Sequence, residues 1–231
     1  MRGTAGWLSA FVLAVTSNAV VEASGSLSTA GAVRLAWVDP TGAAASVYEL
    51  AHTEASAVLA EAGLEVSWRR VPPSTVLEPE EIAVVILPGG SARSRGTHRV
   101  MGATQTGDDA VAAVWVYASE VRDVLGLSGR SSAPLTPRGQ ALLGQALGRV
   151  AAHEIVHALL PRQPHAHSGL MSADIERSAL LGPRPQMDAS TRAALDVLVS
   201  TALKTASGTV KQPGEAPYSK LEDIEPVIVP D

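Results

Sequence analysis

The chain has 231 residues, with 23 acidic against 18 basic side chains and a formal charge of −5 at neutral pH. That balance argues against a nucleic-acid-binding role, and the lack of any cysteine excludes disulfides and thiolate metal ligands. Hydrophobic residues make up 46%, mostly Ala, Val and Leu with a single Phe, enough to build one core in one domain.

After Arg2 no charge appears until Glu22. The apolar stretch 7–15 and the small residues around Ala23 read as a secretory signal over 1–23, which makes the mature protein secreted or periplasmic. Thr16, Ser17 and Asn18 shorten the apolar run below a comfortable membrane span, so no stable membrane insertion is expected after processing. A single folded domain is expected over 24–206.

Within that domain, residues 33–38 read as a short strand ended by Asp39 and Pro40. Residues 43–62 place Val47, Leu50, Ala51, Glu54, Val58 and Leu59 at helical spacing, with Gly63 as the stop. Residues 64–68 alternate like a strand with one wet face, and 82–87 form a continuous apolar run between Pro79 and Pro88, as a buried central strand does. The polar segment 89–109 is rich in Arg and Gly, but arginine outnumbers lysine 15 to 3 along the whole chain, so it reads as a solvated loop and not as a phosphate-binding patch. Inside it, 97–104 reads as an edge strand, and His98, like His52, reads as a surface histidine.

Residues 111–117 give another strand, followed by a long helix. Thr136 is its N-cap and Pro137 its first helical residue, and Pro161 marks its end. Gly144 and Gly148 each cost about 1 kcal/mol against alanine in a helix. At i, i+4 spacing they suggest a face pressed against a sheet. A second long helix runs from about 188 to 206 with Asp188 as cap. From there on, four prolines and little periodicity read as a disordered tail over 207–231.

The long helix carries the chemistry. His153, Glu154 and His157 form an HExxH motif, which places two imidazoles one turn apart on the same face. Both can hold one metal ion, while Glu154 beside them reaches an activated water without being a ligand. Three protein ligands with a fourth position open to water distinguish a catalytic zinc site from a structural one. Pro161 and Pro164 turn the chain out of helical geometry, and His165 and His167 follow at once, either of which a tight turn returns to the metal. Glu176, 19 residues beyond His157, is spaced like the glutamate ligand of peptidases that take one from a second helix.

The segment 153–171 resembles the signature of a group of mostly uncharacterised bacterial zinc-protease-like proteins, with HEIGH, a leucine-rich turn, a short loop, then HS and GLM. It is also similar to the metzincin peptidases, where HExxHxxGxxH is followed by a methionine-bearing turn beneath the zinc. The resemblance aligns His153, Glu154, His157, His165, Gly169, Leu170 and Met171, with Met171 as the turn methionine, and thereby favours His165 as third ligand. Leu160 stands where the metzincin glycine would be, Gln163 where its third histidine would be, and no tyrosine follows Met171 closely.

The resemblance implies an α/β (α+β) zincin domain, a twisted mixed sheet of four to five strands packed on two long helices including the HExxH helix. It also implies a zinc-dependent endopeptidase with Zn²⁺ on His153, His157 and His165 and Glu154 as general base. A peptide or protein substrate and a monomeric state are expected. The alternative is a zinc-binding domain that recognises a peptide or partner without turnover, against which the intact Glu154 stands.

Overall fold

A computed structural model describes residues 32–78, 80–89, 100–107, 110–127 and 134–207. The expected signal segment 1–23, His98 and the tail beyond Ser207 lie outside the described residues. Among the described residues five strands form one sheet: β1 (Ala32–Val38), β2 (Glu65–Val71), β3 (Glu81–Leu87), β4 (Gly102–Gly107) and β5 (Ala110–Tyr117). Their order is β2-β1-β3-β5-β4, parallel except for β4, which runs antiparallel to β5 at the sheet edge. The helices are α1 (Tyr48–Ala60), α2 (Ala118–Leu125), α3 (Pro137–Leu159), α4 (Arg177–Leu181) and α5 (Ala189–Ser207). The expected mixed α/β architecture is therefore present, with α1 and the HExxH helix α3 against one side of the sheet. No helix among the described residues is long and apolar enough to cross a membrane.

Strand alternation explains how the core forms. Val33, Leu35 and Trp37 of β1, Ile82, Val84 and Ile86 of β3, and Val114 and Val116 of β5 join the helices in one large cluster. The alternate residues Ala36, Val38 and Val71 form a small second cluster with Leu77 and Val85. This two-sided burial is why 82–87 reads as an unbroken apolar run.

Several expected boundaries move. The helix expected from Ala43 begins at Tyr48, after a 3-10 turn over Ala45–Val47 that Asp39 secures by accepting bonds from the Ala43 and Ala44 N–H groups at 2.9 and 3.0 Å. The edge strand expected over 97–104 lies at Gly102–Gly107, residues 97–99 being outside the described set. Helix α2 was not expected at all: it starts directly after β5 with no breaker between them, and Gly126 closes it in a left-handed conformation.

One packing expectation is wrong. Gly144 and Gly148 face not the sheet but α1. A Cβ on Gly144 would lie 2.4 Å from Leu50 Cβ, and one on Gly148 would lie 2.4 Å from the Ala51 carbonyl oxygen. The bare face lets two helix backbones approach closely. Arg149, adjacent to Gly148 and buried, completes the joint. Its Nε donates to Glu54 Oε1 of α1 at 2.8 Å, and its Nη1 donates to the carbonyls of Ala179, Gly182 and Pro183 at 2.7, 3.0 and 3.2 Å. One guanidinium thus ties α1, α3 and the end of α4 together, one turn ahead of His153.

Candidate metal centre

Helix α3 starts as expected: the Thr136 hydroxyl accepts the Gly139 N–H at 3.1 Å, and Pro137 opens the first turn, where its missing N–H costs nothing. The helix stays buried through Ile155 and Val156, so His153 (4% exposed) and Glu154 (8%) are carried into the interior, while His157 is half-buried at the cleft. Past Leu160 the chain turns, and His165 comes back over the helix end. Its ring stacks on that of His153 at 5.4 Å between centroids and meets that of His157 edge-on at 4.7 Å.

The ring nitrogens converge. His157 Nε2 is 3.2 Å from His153 Nε2 and 3.1 Å from His165 Nε2. Among the described residues this trio is the group able to hold a metal ion, with all its ligand atoms within 4.8 Å of one another. Neither His167 nor Glu176 belongs to it. Both are exposed, and the Glu176 carboxylate accepts the Ser178 hydroxyl at 3.3 Å.

Hydrogen bonding among the rings does not account for this cluster. His153 Nδ1 lies 2.7 Å from the Leu170 carbonyl oxygen, and since a carbonyl only accepts, Nδ1 carries the proton and Nε2 a lone pair in the neutral ring. His157 Nε2 holds at most one hydrogen and cannot donate to both neighbours. A shared cation satisfies all three, and nitrogens bound tetrahedrally to zinc at about 2.0–2.1 Å stand roughly 3.3 Å apart. The donor set fits zinc: three imidazoles, one oriented by a carbonyl behind it. Burial, then repulsion from His153 and His165, pushes His157 down to about 4, and burial first of all lowers His153 as well. Both rings are therefore neutral, as ligands must be.

The turn after His165 explains the carbonyl. Gly169 has φ +82°, a left-handed conformation that side chains disfavour, and a Cβ there would lie 2.3 Å from the Gln186 carbonyl oxygen. Leu170 N–H donates to that same oxygen at 2.9 Å, and Ala166 N–H donates to Met171 O at 2.7 Å. Met171 is fully buried in the main cluster. Gln163 points elsewhere: its amide donates to Thr191 Oγ1 at 3.1 Å at the start of α5. There Asp188 caps the helix, accepting the Thr191 N–H at 3.0 Å. The loop is thus anchored by Gln163 and closed by His165, two residues later.

Glu154 and Glu81 are both buried carboxylates in opposite settings. A hydrogen bond from Arg69 holds Glu81 below the usual range despite its burial. No such cation faces Glu154 among the described residues: burial pushes it up to about 7, opposed by a hydrogen bond from Thr104. An acid poised near neutrality beside three convergent imidazoles is suited to proton transfer. It opens on a cleft of about 830 Å³, walled by Met101, Gly102 and Thr104 on the edge-strand side and by Asp174, Ile175 and Glu176 on the other.

No family of known proteins and no curated protein sequence matches the chain. Among solved structures, it is similar to the crystal structure of archaemetzincin from Methanopyrus kandleri, at 11% identity and a TM-score of 0.49, over 74% of this chain and 97% of that one. Thr104, Gly102 and Arg149 are the residues near the site that sequence reasoning passed over. Only Arg149, the one charge in the apolar stretch of α3 between Arg138 and Glu154, carried a signal that pointed to a buried partner.

Proposed function

We propose that this chain is a zinc-dependent endopeptidase, with His153, His157 and His165 holding the metal and Glu154 acting as general base. The observation that supports it most is the placement of a buried carboxylate beside three converging imidazoles at the foot of an open cleft. Zinc held by these three rings would supply Lewis acidity, lowering the pKa of a water and polarising a carbonyl. Glu154 takes the water's proton as the oxygen attacks the scissile carbon, then returns it to the departing amine. Leu170 O orients the His153 ring, and the buried Met171 supports the turn that carries that carbonyl. The edge strand β4, which among the described residues pairs with β5 alone, offers backbone groups to an extended peptide along the cleft.

The test is hydrolysis of a quenched-fluorescence peptide library by the purified protein. Activity is expected to vanish after chelation and to return on adding zinc. Hydrolysis indifferent to chelation, or none after zinc loading, contradicts the proposal.

A further inference from the structure

The feature of the site that remains unassigned is a hydroxyl on the edge strand. Thr104, 50 positions from Glu154 in the chain, has its Oγ1 2.8 Å from Glu154 Oε2 and 2.9 Å from the Glu154 backbone oxygen. A hydroxyl carries one hydrogen, and the carboxylate is the stronger acceptor of the two. Two residues earlier, Gly102 meets the other side of the same group: a Cβ there would lie 2.6 Å from Oε1 and 2.7 Å from Glu154 Cγ. Gly102 and Thr104 stand opposite Val116 and Val114, both members of the main core, so strand alternation turns both residues toward α3. The edge strand therefore grips Glu154 at two points, by a donor at Oε2 and by a bare Cα under Oε1.

We propose that Thr104 is a positioning residue for Glu154: its hydroxyl fixes Oε2, and the space over Gly102 holds Oε1 as the oxygen that accepts the proton. Resting on the peptidase reading, this gives β4 a second task, since the strand expected to pair with substrate also sets the angle of the base. A purely structural tie between β4 and α3 would not discriminate one step of turnover from another, and that difference makes the idea testable.

The zinc-loaded full chain and its Thr104→Val, Thr104→Ala, Thr104→Ser and Glu154→Gln variants would be compared. A peptide hydroxamic acid chelates zinc through two oxygens and passes its acidic proton to a neighbouring base, so its affinity reads the placement of Glu154 without turnover. Thr104→Val and Thr104→Ala are expected to weaken hydroxamate binding by about 10-fold and to lower kcat by about 10–100-fold, with KM and zinc content close to wild type. Thr104→Ser, which keeps the hydroxyl, is expected to stay within about 3-fold of wild type in both. Wild-type hydroxamate affinity and kcat in Thr104→Val or Thr104→Ala, beside an inactive Glu154→Gln, overturn the Thr104 inference alone. So does a Thr104→Ser chain as impaired as Thr104→Val, because the effect would then be packing. A Glu154→Gln chain that binds hydroxamate and turns over like wild type overturns the role of Glu154 as base and this inference with it, whereas a zinc-loaded wild type that hydrolyses no peptide overturns the peptidase reading itself.

Discussion

Glu154→Gln is expected to lower peptide hydrolysis by about 10²–10⁴-fold, the range a general base contributes, while leaving zinc content unchanged. Glutamine has the same shape, so it fits over Gly102 and its amide oxygen still accepts the Thr104 hydroxyl, 2.8 Å from the carboxylate in the wild-type chain. The Glu154 carboxylate bonds to Thr104 and not to a ring, and His153 Nδ1 donates to Leu170 O instead. What is lost is the proton acceptor. Burial raises Glu154 to about 7 in the metal-free chain, and a nearby divalent cation lowers it again, so the carboxylate is in base form at neutral pH. Parallel assays of zinc content and peptide hydrolysis check this. A variant that keeps more than about a tenth of wild-type turnover contradicts the assignment of the base.

Gly148→Ala is expected to destabilise the fold by about 2 kcal/mol, although alanine is the better helix former by about 1 kcal/mol. Steric conflict decides the sign. The new methyl would lie 2.4 Å from the Ala51 carbonyl oxygen, 2.9 Å from Glu54 Cβ and 3.0 Å from Ala55 N, all of them on α1 and two of them backbone atoms that cannot rotate away. Relief requires moving α1 off α3, and overpacking of this kind costs about 1–3 kcal/mol or more. The movement also strains the 2.8 Å bond between Glu54 and the buried Arg149. Thermal unfolding reports the result: for a domain of this size the midpoint should fall by about 4–8 °C. An unchanged or raised midpoint would mean that the two helices are not in backbone contact.

The three-histidine cluster was legible in the sequence because three of the four relevant constraints are local. Helical periodicity alone pairs His153 with His157, Thr136 and Pro137 fix where the helix starts, and Pro161 fixes where it ends. The preference for His165 over His167 needed the resemblance at Gly169 and Met171, and His165 is the ring that joins the cluster. Contacts between distant segments were not legible. Thr104 meets Glu154 across 50 residues, and a threonine in a short polar strand carries no mark of that partner. Likewise the small residues Gly144 and Gly148 announce a close approach without saying to what; the sheet was the natural candidate, and α1 occupies the place. Helix α2 went unseen because it is only eight residues long and follows β5 without Gly or Pro, although Gly126 after it marked a stop.

Metal stoichiometry tests the central claim most directly, measured by elemental mass spectrometry on the wild type and on the His165→Ala and Glu176→Ala variants. The three-histidine site predicts about one zinc per chain in the wild type and in Glu176→Ala, and its loss in His165→Ala. A wild-type chain that takes up no zinc on reconstitution, or a His165→Ala chain that keeps it while Glu176→Ala loses it, would contradict the account.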